Sequence, residues 1–154
     1  MYTIQSPLKI VIGKTKSGKI KEFSLNLNTY RNAHFRTLNT SKHKYKMEIV
    51  EQLEDKPRYN RVAIIYKVFK GDARRYDIGN ILSIHEKYFE DALVECGKLP
   101  DDKADNLPLV IYTNGGIDRD NPRVEIKIYD INNIVDTTDL YNQINIEFKN
   151  HNIL

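Results

Sequence analysis

The alternation of apolar and polar residues predicts the strands of this chain. Residues 8–12 alternate and predict a strand, residues 20–25 predict a second one, and the polar turn at residues 14–19 joins them into a hairpin. Residues 61–70 form the most hydrophobic and β-branched run, which is typical of a central strand. Shorter runs predict two more strands, at residues 107–113 and 124–129.

A helical spacing of apolar residues first appears before the central strand. It predicts a helix over residues 41–53, capped by Asn39 or Thr40. Residues 26–38, in contrast, have no clear period and are rich in Asn, Arg and aromatic side chains. We therefore expect a loop there.

Two further helices are expected after the central strand. The first begins at Ile78 or Asn80 and runs to Glu95, and Gly97 is placed to end it in the left-handed conformation. The last helix covers residues 140–150, with Asp136 as its start signal. Together these elements predict an α+β (mixed α/β) fold over residues 1–154, as a single domain with a mixed sheet and helices mainly on one face.

Composition excludes several classes of protein. The chain has 154 residues, of which 40% are hydrophobic and 29% charged, so a disordered protein is not expected. No apolar run approaches the roughly 20 residues that span a bilayer, so we expect a cytoplasmic protein without a membrane partner. The single cysteine, Cys96, excludes an internal disulfide and a cysteine-based zinc site, and predicts a reduced thiol.

Charge is distributed unevenly along the chain. The formal net charge is only +3, but residues 1–76 carry 17 Lys and Arg against 6 Asp and Glu, whereas residues 77–154 carry 7 against 15. A basic half and an acidic half fit a protein that grips a polyanion with one part and holds metal ions with the other. Chance clustering on a solvated surface is the alternative.

A group of carboxylates and one lysine lies around the second predicted helix. Magnesium prefers oxygen ligands, and two carboxylates can hold it against a phosphate, while a lysine offsets developing charge. The candidate catalytic residues are Asp77, Glu86, Lys87, Asp91, Asp101 and Asp102.

Two of these carboxylates have simpler explanations. In the simpler explanation, Asp77 precedes the helix and is its N-cap without a catalytic role. Asp101-Asp102 is then a polar turn without a metal. A helix of this length is also about 25 Å long, so its two ends reach one site only if the following turn folds back.

Cations mixed with aromatic side chains mark a candidate nucleic-acid surface. Lysine and arginine contact phosphates, and aromatic rings stack on bases, although ordinary loop packing gives the same composition. The turn at residues 13–19 is basic too, but it lacks phosphate-loop spacing and offers at most a backbone phosphate contact. The candidate DNA contacts are Arg31, His34, Arg36, Lys42, Lys44, Lys46, Arg74, Arg75 and Asn80.

In order and spacing, these segments resemble the RusA family of Holliday junction resolvases, which are small metal-dependent endonucleases of phages and prophages. The resemblance covers about 100 residues. It is carried by Ser24–Asn26 with Tyr30–His34, by Arg74–Asn80, by Asp91-Ala92-Leu93, by Gly97 with Pro100-Asp101-Asp102, and by Gly115-Gly116 before the last strand.

The resemblance implies roles for individual residues. Asp77 matches the first carboxylate of the family's D-x-D-N motif, and Lys87 matches its lysine. Asp101-Asp102 match the last acidic element, with Asp102 favoured as the metal ligand and Asp101 beside it. The metal would be Mg²⁺, with Mn²⁺ as a substitute, and Asn80 matches the motif's asparagine.

Two departures from the family pattern bear on activity. Gly79 stands where the second aspartate belongs, and the interval from Asn80 to Asp91 is longer by four residues, about one helical turn. The missing carboxylate is replaced by Glu86, or by Asp91 if the helix is shifted; otherwise the site holds one metal ion or none.

The resemblance thus implies a metal-dependent hydrolase that cleaves branched DNA in recombination, repair or phage DNA processing. It implies a homodimer, because paired nicks in a junction need two related sites. The alternative is an inactive descendant that binds DNA structure or a protein partner without cutting.

Overall fold

The computed structural model describes residues 1–133 and 137–150. The elements follow one another as β1 (Tyr2–Pro7), β2 (Lys9–Lys14), β3 (Ile20–Ser24), α1 (Leu27–Asn32), α2 (Phe35–Leu53), β4 (Val62–Lys70), α3 (Ile78–Glu95), β5 (Leu109–Ile117), β6 (Arg123–Asp130) and α4 (Thr137–Asn150). The α+β prediction is confirmed. Asp136, the expected start of α4, lies outside the described residues.

A mixed four-stranded sheet organises the molecule, in the order β1-β6-β4-β5. β4 pairs in parallel with β5 and antiparallel with β6, as expected for the central strand. β2 and β3 form a separate two-stranded sheet. In the part of the chain that the structure describes, no helix is long and apolar enough to cross a membrane.

Both faces of β4 are covered, which explains its unbroken apolar sequence. Ile64 and Tyr66 belong to the larger core, which includes residues of α2 and α3, while Ala63 and Ile65 pack in a smaller cluster with Leu140 of α4. The helices are thus divided unequally between the two faces. Since only residues 71–77 connect β4 to α3, the N-terminal end of α3 lies near the end of β4.

The segment predicted as a loop contains a helix, so that prediction was wrong. α1 has no fully buried residue, and the apolar stripe of a core helix is therefore absent. Its signals are local: Asn26 caps it by accepting from the backbone N–H of Thr29 over 2.8 Å, and Leu27 and Tyr30 pack against the core.

Helix α2 begins six residues before the predicted start. His34 is its N-cap, and its first turns are largely exposed, so no apolar stripe marks them. The rest of the helix matches expectation, because Tyr45, Ile49 and Leu53 are fully buried.

The strand predictions missed one strand and shortened another. β1 was not predicted, although buried and exposed residues alternate along it, with Tyr2, Ile4 and Ser6 buried. β5 continues to Ile117, through glycines that had been expected in a turn. A Cβ on Gly115 would lie 2.7 Å from the Phe69 ring, so only glycine lets this neighbouring ring lie against β5.

Candidate functional site

The start of α3 is set by Asp77. Its carboxylate Oδ1 accepts from the backbone N–H of Gly79 over 2.9 Å, which is an N-cap contact. Asp77 is exposed. Since a carboxylate has about four lone-pair positions, the cap leaves it able to bind a cation or an ordered water as well.

Asn80 ties the first turn of α3 to α1. Its Oδ1 accepts from the backbone N–H of Asn28 over 3.2 Å. Tyr30 packs edge-on against Tyr88 of α3, with ring centroids 6.3 Å apart. Arg31, in the last turn of α1, is exposed. The two segments that carry the resemblance are therefore in contact at this end of α3.

The loop between β4 and α3 presents two arginines. Lys70 holds the loop by donating to the backbone carbonyl of Arg74 over 2.9 Å and by pairing with Asp72 over 3.0 Å. The hydrogen bond from Lys70 lowers the pKa of Asp72. Arg74 and Arg75 are exposed and line a cleft of about 420 Å³ next to Asp77.

The far side of this cleft is formed by β5. Tyr76 donates to Oδ1 of Asn114 over 2.9 Å, and Lys70 lies 4.7 Å above the Tyr76 ring. These contacts fix the chain just before Asp77. The cleft is thus bounded by a fixed tyrosine and two exposed arginines, with Asp72 also in its lining. The two guanidinium groups suit a phosphate group.

An exposed aromatic ring lies at the junction of α1 and α2. Phe35 is 60% exposed, and the His34 ring lies 4.4 Å from it, centroid to centroid. The guanidinium of Arg36 is 5.8 Å from the Phe35 ring centroid, and the Nδ1 of His34 caps α2 by accepting from the backbone N–H of Arg36 over 3.3 Å. A ring between two nitrogen-rich side chains can stack on a base.

Two of the predicted DNA contacts are already paired within the protein. Lys42 lies 2.9 Å from the carboxylate of Asp91 and 3.4 Å from that of Glu95, and Lys46 lies 2.7 Å from Glu95. Hydrogen bonding to these acids raises the pKa of both lysines. Asp91 therefore joins α3 to α2, whereas Lys44 and Lys87 have no such partner in the described part of the chain.

The Asp101-Asp102 turn lies at the other end of α3. Asp101 pairs with Lys103 over 2.6 Å, which lowers the pKa of the Asp101 carboxyl. Asp102 is close enough to Glu90 to raise the pKa of that side chain. Glu90 is 13 residues beyond Asp77, about 20 Å along the helix axis. The structure thus brings Asp102 together with Glu90 and not with Asp77.

Glu90 forms an acidic group with Glu86 and Asp102. It is 9% exposed, and burial, then Glu86, then Asp102 raise its pKa to about 8. The Tyr66 hydroxyl lies 3.5 Å from Glu90, and Tyr112 donates to Glu86. The sequence signal for this acidic group is the spacing of Glu86 and Glu90. Because they are four residues apart, they lie on one side of α3, which faces β4 and β5.

His85 of α3 is a packing residue. It is fully buried, and its Nδ1 lies 2.8 Å from the hydroxyl of Ser6. Burial lowers the pKa of His85 to about 3, so it stays neutral. It therefore joins α3 to β1 and takes no part in the exposed site.

Among residues 1–133 and 137–150, no group of three or more His, Cys, Asp or Glu side chains could hold a metal ion. Gly79 contributes no oxygen where a second carboxylate would stand beside Asp77. A cation at Asp77 would therefore need most of its ligands from water and from a phosphate, as Mg²⁺ commonly takes them.

The chain was also compared with known proteins. It matched no model of a protein family and none of the curated proteins.

Proposed function

We propose that this protein is a metal-dependent endonuclease that acts on branched DNA, with its site at the N-terminal end of α3. The observation that carries the proposal is the hydrogen bond between Asn28 and Asn80, because it holds α1 against the turn that bears Asp77. Cations for phosphate and a carboxylate for a metal ion thereby occupy one end of one helix. The resemblance to junction resolvases supplies the reaction class.

The basic groups around this end have separate roles. Arg74 and Arg75 contact the phosphate in the cleft, and Arg31 contacts a neighbouring phosphate. Phe35, with Arg36, stacks on a base left unpaired at the branch point. Lys87 is exposed on α3, but it lies ten residues beyond Asp77, about 15 Å along the helix axis, so it contacts a more distant phosphate and not the leaving oxygen.

The metal ligand in this proposal is Asp77, with Mg²⁺ or Mn²⁺ as the ion. Asp77 would hold the ion, while its Oδ1 caps α3. The chemistry that such an ion would supply is a lowered pKa of a coordinated water and polarisation of the phosphate. Asp101 and Asp102 are not needed for this step, since Asp102 lies with Glu90.

The wider setting follows from the same resemblance. The protein would act as a homodimer, so that two sites nick opposite strands of a four-way junction. Its place would be the cytoplasm of a bacterial or phage-infected cell, in recombination, repair or phage DNA processing.

A second function is favoured by Gly79. With one carboxylate at the helix start and Asp102 near Glu90, the fold can bind DNA structure without cutting it. In that case the arginine cleft and Phe35 keep their roles, and Asp77 serves only as a cap.

The two functions are separated by a nicking assay on a labelled four-way junction, with Mg²⁺, with Mn²⁺ and with a chelator. Asp77→Asn is the informative variant, because asparagine caps a helix as well as aspartate does but carries no charge. We expect metal-dependent nicking by the wild type, its loss in Asp77→Asn with junction binding retained, and near-normal nicking by Asp102→Asn. Binding without nicking by the wild type would favour the second function, and no binding at all would reject both.

A further inference from the structure

We propose that the β2–β3 hairpin is a DNA-binding arm that contacts the phosphates of a duplex next to the branch point. This inference rests on the proposed function, because it assigns the arm to the same DNA. It concerns a segment for which neither the resemblance nor the arginine cleft accounts.

The outer half of the hairpin is exposed to solvent. Every residue from 13 to 22 is exposed, whereas Ile10 and Phe23 at its base are buried in the core. The base is also tied by the backbone N–H of Leu25, which donates to the carbonyl of Leu8 over 3.0 Å. An anchored base and an exposed tip are the two properties of an arm.

The tip carries four positive charges and no negative one. Residues 14–21 include four lysines and no acid, and none of the four forms an ion pair within the described part of the chain. The next residue, Glu22, pairs with Lys9 of β2 over 3.5 Å. Unlike Lys42 and Lys46, the tip lysines are therefore free to neutralise phosphates. They are Lys14, Lys16, Lys19 and Lys21.

The tip is also held in shape. The backbone N–H of Thr15 donates to the carbonyl of Lys19 over 2.8 Å, and the backbone N–H of Lys19 donates to the Thr15 hydroxyl over 3.1 Å. Gly18 has a φ of 80°, which the turn requires. Ordering of the arm on binding would therefore cost little conformational entropy.

The dimensions of the arm fit duplex DNA. Two paired strands are about 4.8 Å apart, and the major groove, about 12 Å wide, admits a two-stranded ribbon with its side chains. Lysines on such a ribbon lie within reach of the phosphates on both walls of the groove. The partner is therefore a duplex arm and not a single strand.

The test compares two variants of the full chain that lose the same charge. In the arm variant, Lys14, Lys16, Lys19 and Lys21 are replaced by glutamine. In the control, glutamine replaces four cations near the opposite end of β4: Lys56, Arg58, Arg61 and Lys103. Fluorescence anisotropy measures the affinity of each protein for a labelled four-way junction across a salt series, and thermal unfolding verifies that both variants fold.

Affinity falls as salt rises, and each lost phosphate contact makes the plot of log affinity against log salt less steep by about 0.9. We expect the magnitude of the slope to decrease by about 3 to 4 in the arm variant and by less than 1 in the control. If the wild type binds and both variants keep the wild-type slope, or change it equally, the assignment of the hairpin as a DNA-binding arm is wrong. The proposed function would still stand. Absence of binding by the wild type would instead reject the function itself, and the arm with it.

Discussion

The backbone N–H of Asn28 and the Oδ1 of Asn80 are 3.2 Å apart, which makes a side chain of α3 the acceptor for the N-terminal end of α1. Asn80→Ala removes the acceptor, so α1 and Arg31 lose a fixed position beside Asp77. We expect junction affinity to fall severalfold and the free energy of unfolding to fall by about 1 kcal/mol. Anisotropy and urea denaturation measure the two effects.

The matched control is Asn80→Asp, which keeps an acceptor oxygen in the same place. Its stability should stay near that of the wild type. Because the added negative charge also repels phosphate, this control is compared by stability alone. An equal loss of stability in the alanine and aspartate variants would show that the hydrogen bond to Asn28 does not hold α1.

The free and the paired cations should contribute unequally to DNA binding. Arg74 and Arg75 are exposed and form no ion pair within 4 Å in the part of the chain that the structure describes, whereas Glu95 pairs with Lys46 over 2.7 Å. Arg74→Gln with Arg75→Gln should therefore weaken junction binding more than Lys42→Gln with Lys46→Gln. Titration at fixed salt compares the two pairs, and a larger loss in the lysine pair would move the binding face onto α2.

A carboxylate introduced at position 79 tests the departure from the family motif. A Cβ there lies 3.4 Å from the Asp77 Oδ1, which is an ordinary contact, so Gly79→Asp is sterically acceptable. A second carboxylate raises the charge of the site, and we expect the Mg²⁺ concentration for half-maximal nicking to fall by about tenfold. Gly79→Asn is the uncharged control, and an equal effect of both variants would argue against a metal role.

Glu90 should make stability depend on pH. Burial raises its pKa from 4.5 to about 8, so between these values the folded protein keeps a proton that the unfolded chain has lost. The free energy of unfolding contributed by Glu90 therefore decreases as pH rises, by up to about 1.4 kcal/mol per pH unit. His85, with a pKa lowered to about 3, acts in the opposite direction below pH 6.5.

The effect of Glu90 should accordingly be clearest between pH 6.5 and 8. Glu90→Gln cannot titrate and should flatten the decrease in this window, as measured by urea denaturation at several pH values. The exposed Glu51→Gln serves as a control and should leave the slope unchanged. An unaltered slope in Glu90→Gln would mean that another group causes the pH dependence.

Glycine at position 115 should be required for packing. A Cβ there would lie 2.7 to 2.8 Å from three atoms of the Phe69 ring, and Arg123 covers that ring from 4.2 Å. We expect Gly115→Ala to lower the free energy of unfolding by about 1 to 3 kcal/mol. The helical Gly79→Ala should instead raise it, by up to about 1 kcal/mol. Thermal unfolding of the two variants makes the comparison.

The sequence predicted those elements whose signal lies in their own residues. β4 is apolar on both faces, and α3 has a capping aspartate, an apolar face and a closing glycine with a φ of 67°. It missed β1 and α1, because a short strand is stabilised by pairing with β6 and a short helix by packing against α3. Neither partner is near in the chain.

The candidate site was predictable in its parts but not in its grouping. The sequence identified Asp77, Asn80 and the two arginines of the loop, and the structure places them at one end of α3. It could not show that Asp91 would pair with Lys42, or that Asp102 would lie near Glu90, because both depend on how the following turn and α2 pack. The catalytic roles stay predictions.

The position of β6 between β1 and β4 has a consequence for the order of folding. Ile4 pairs with Ile126, about 120 residues later in the chain, and Ile64 pairs with Ile128 on the other side of β6. During synthesis, β1 and β4 therefore cannot pair with β6, which lies between them in the sheet, until residues 123–130 have emerged. A chain interrupted before β6 would leave one edge of the strongly apolar β4 unpaired, and we expect such fragments to aggregate or to require a chaperone.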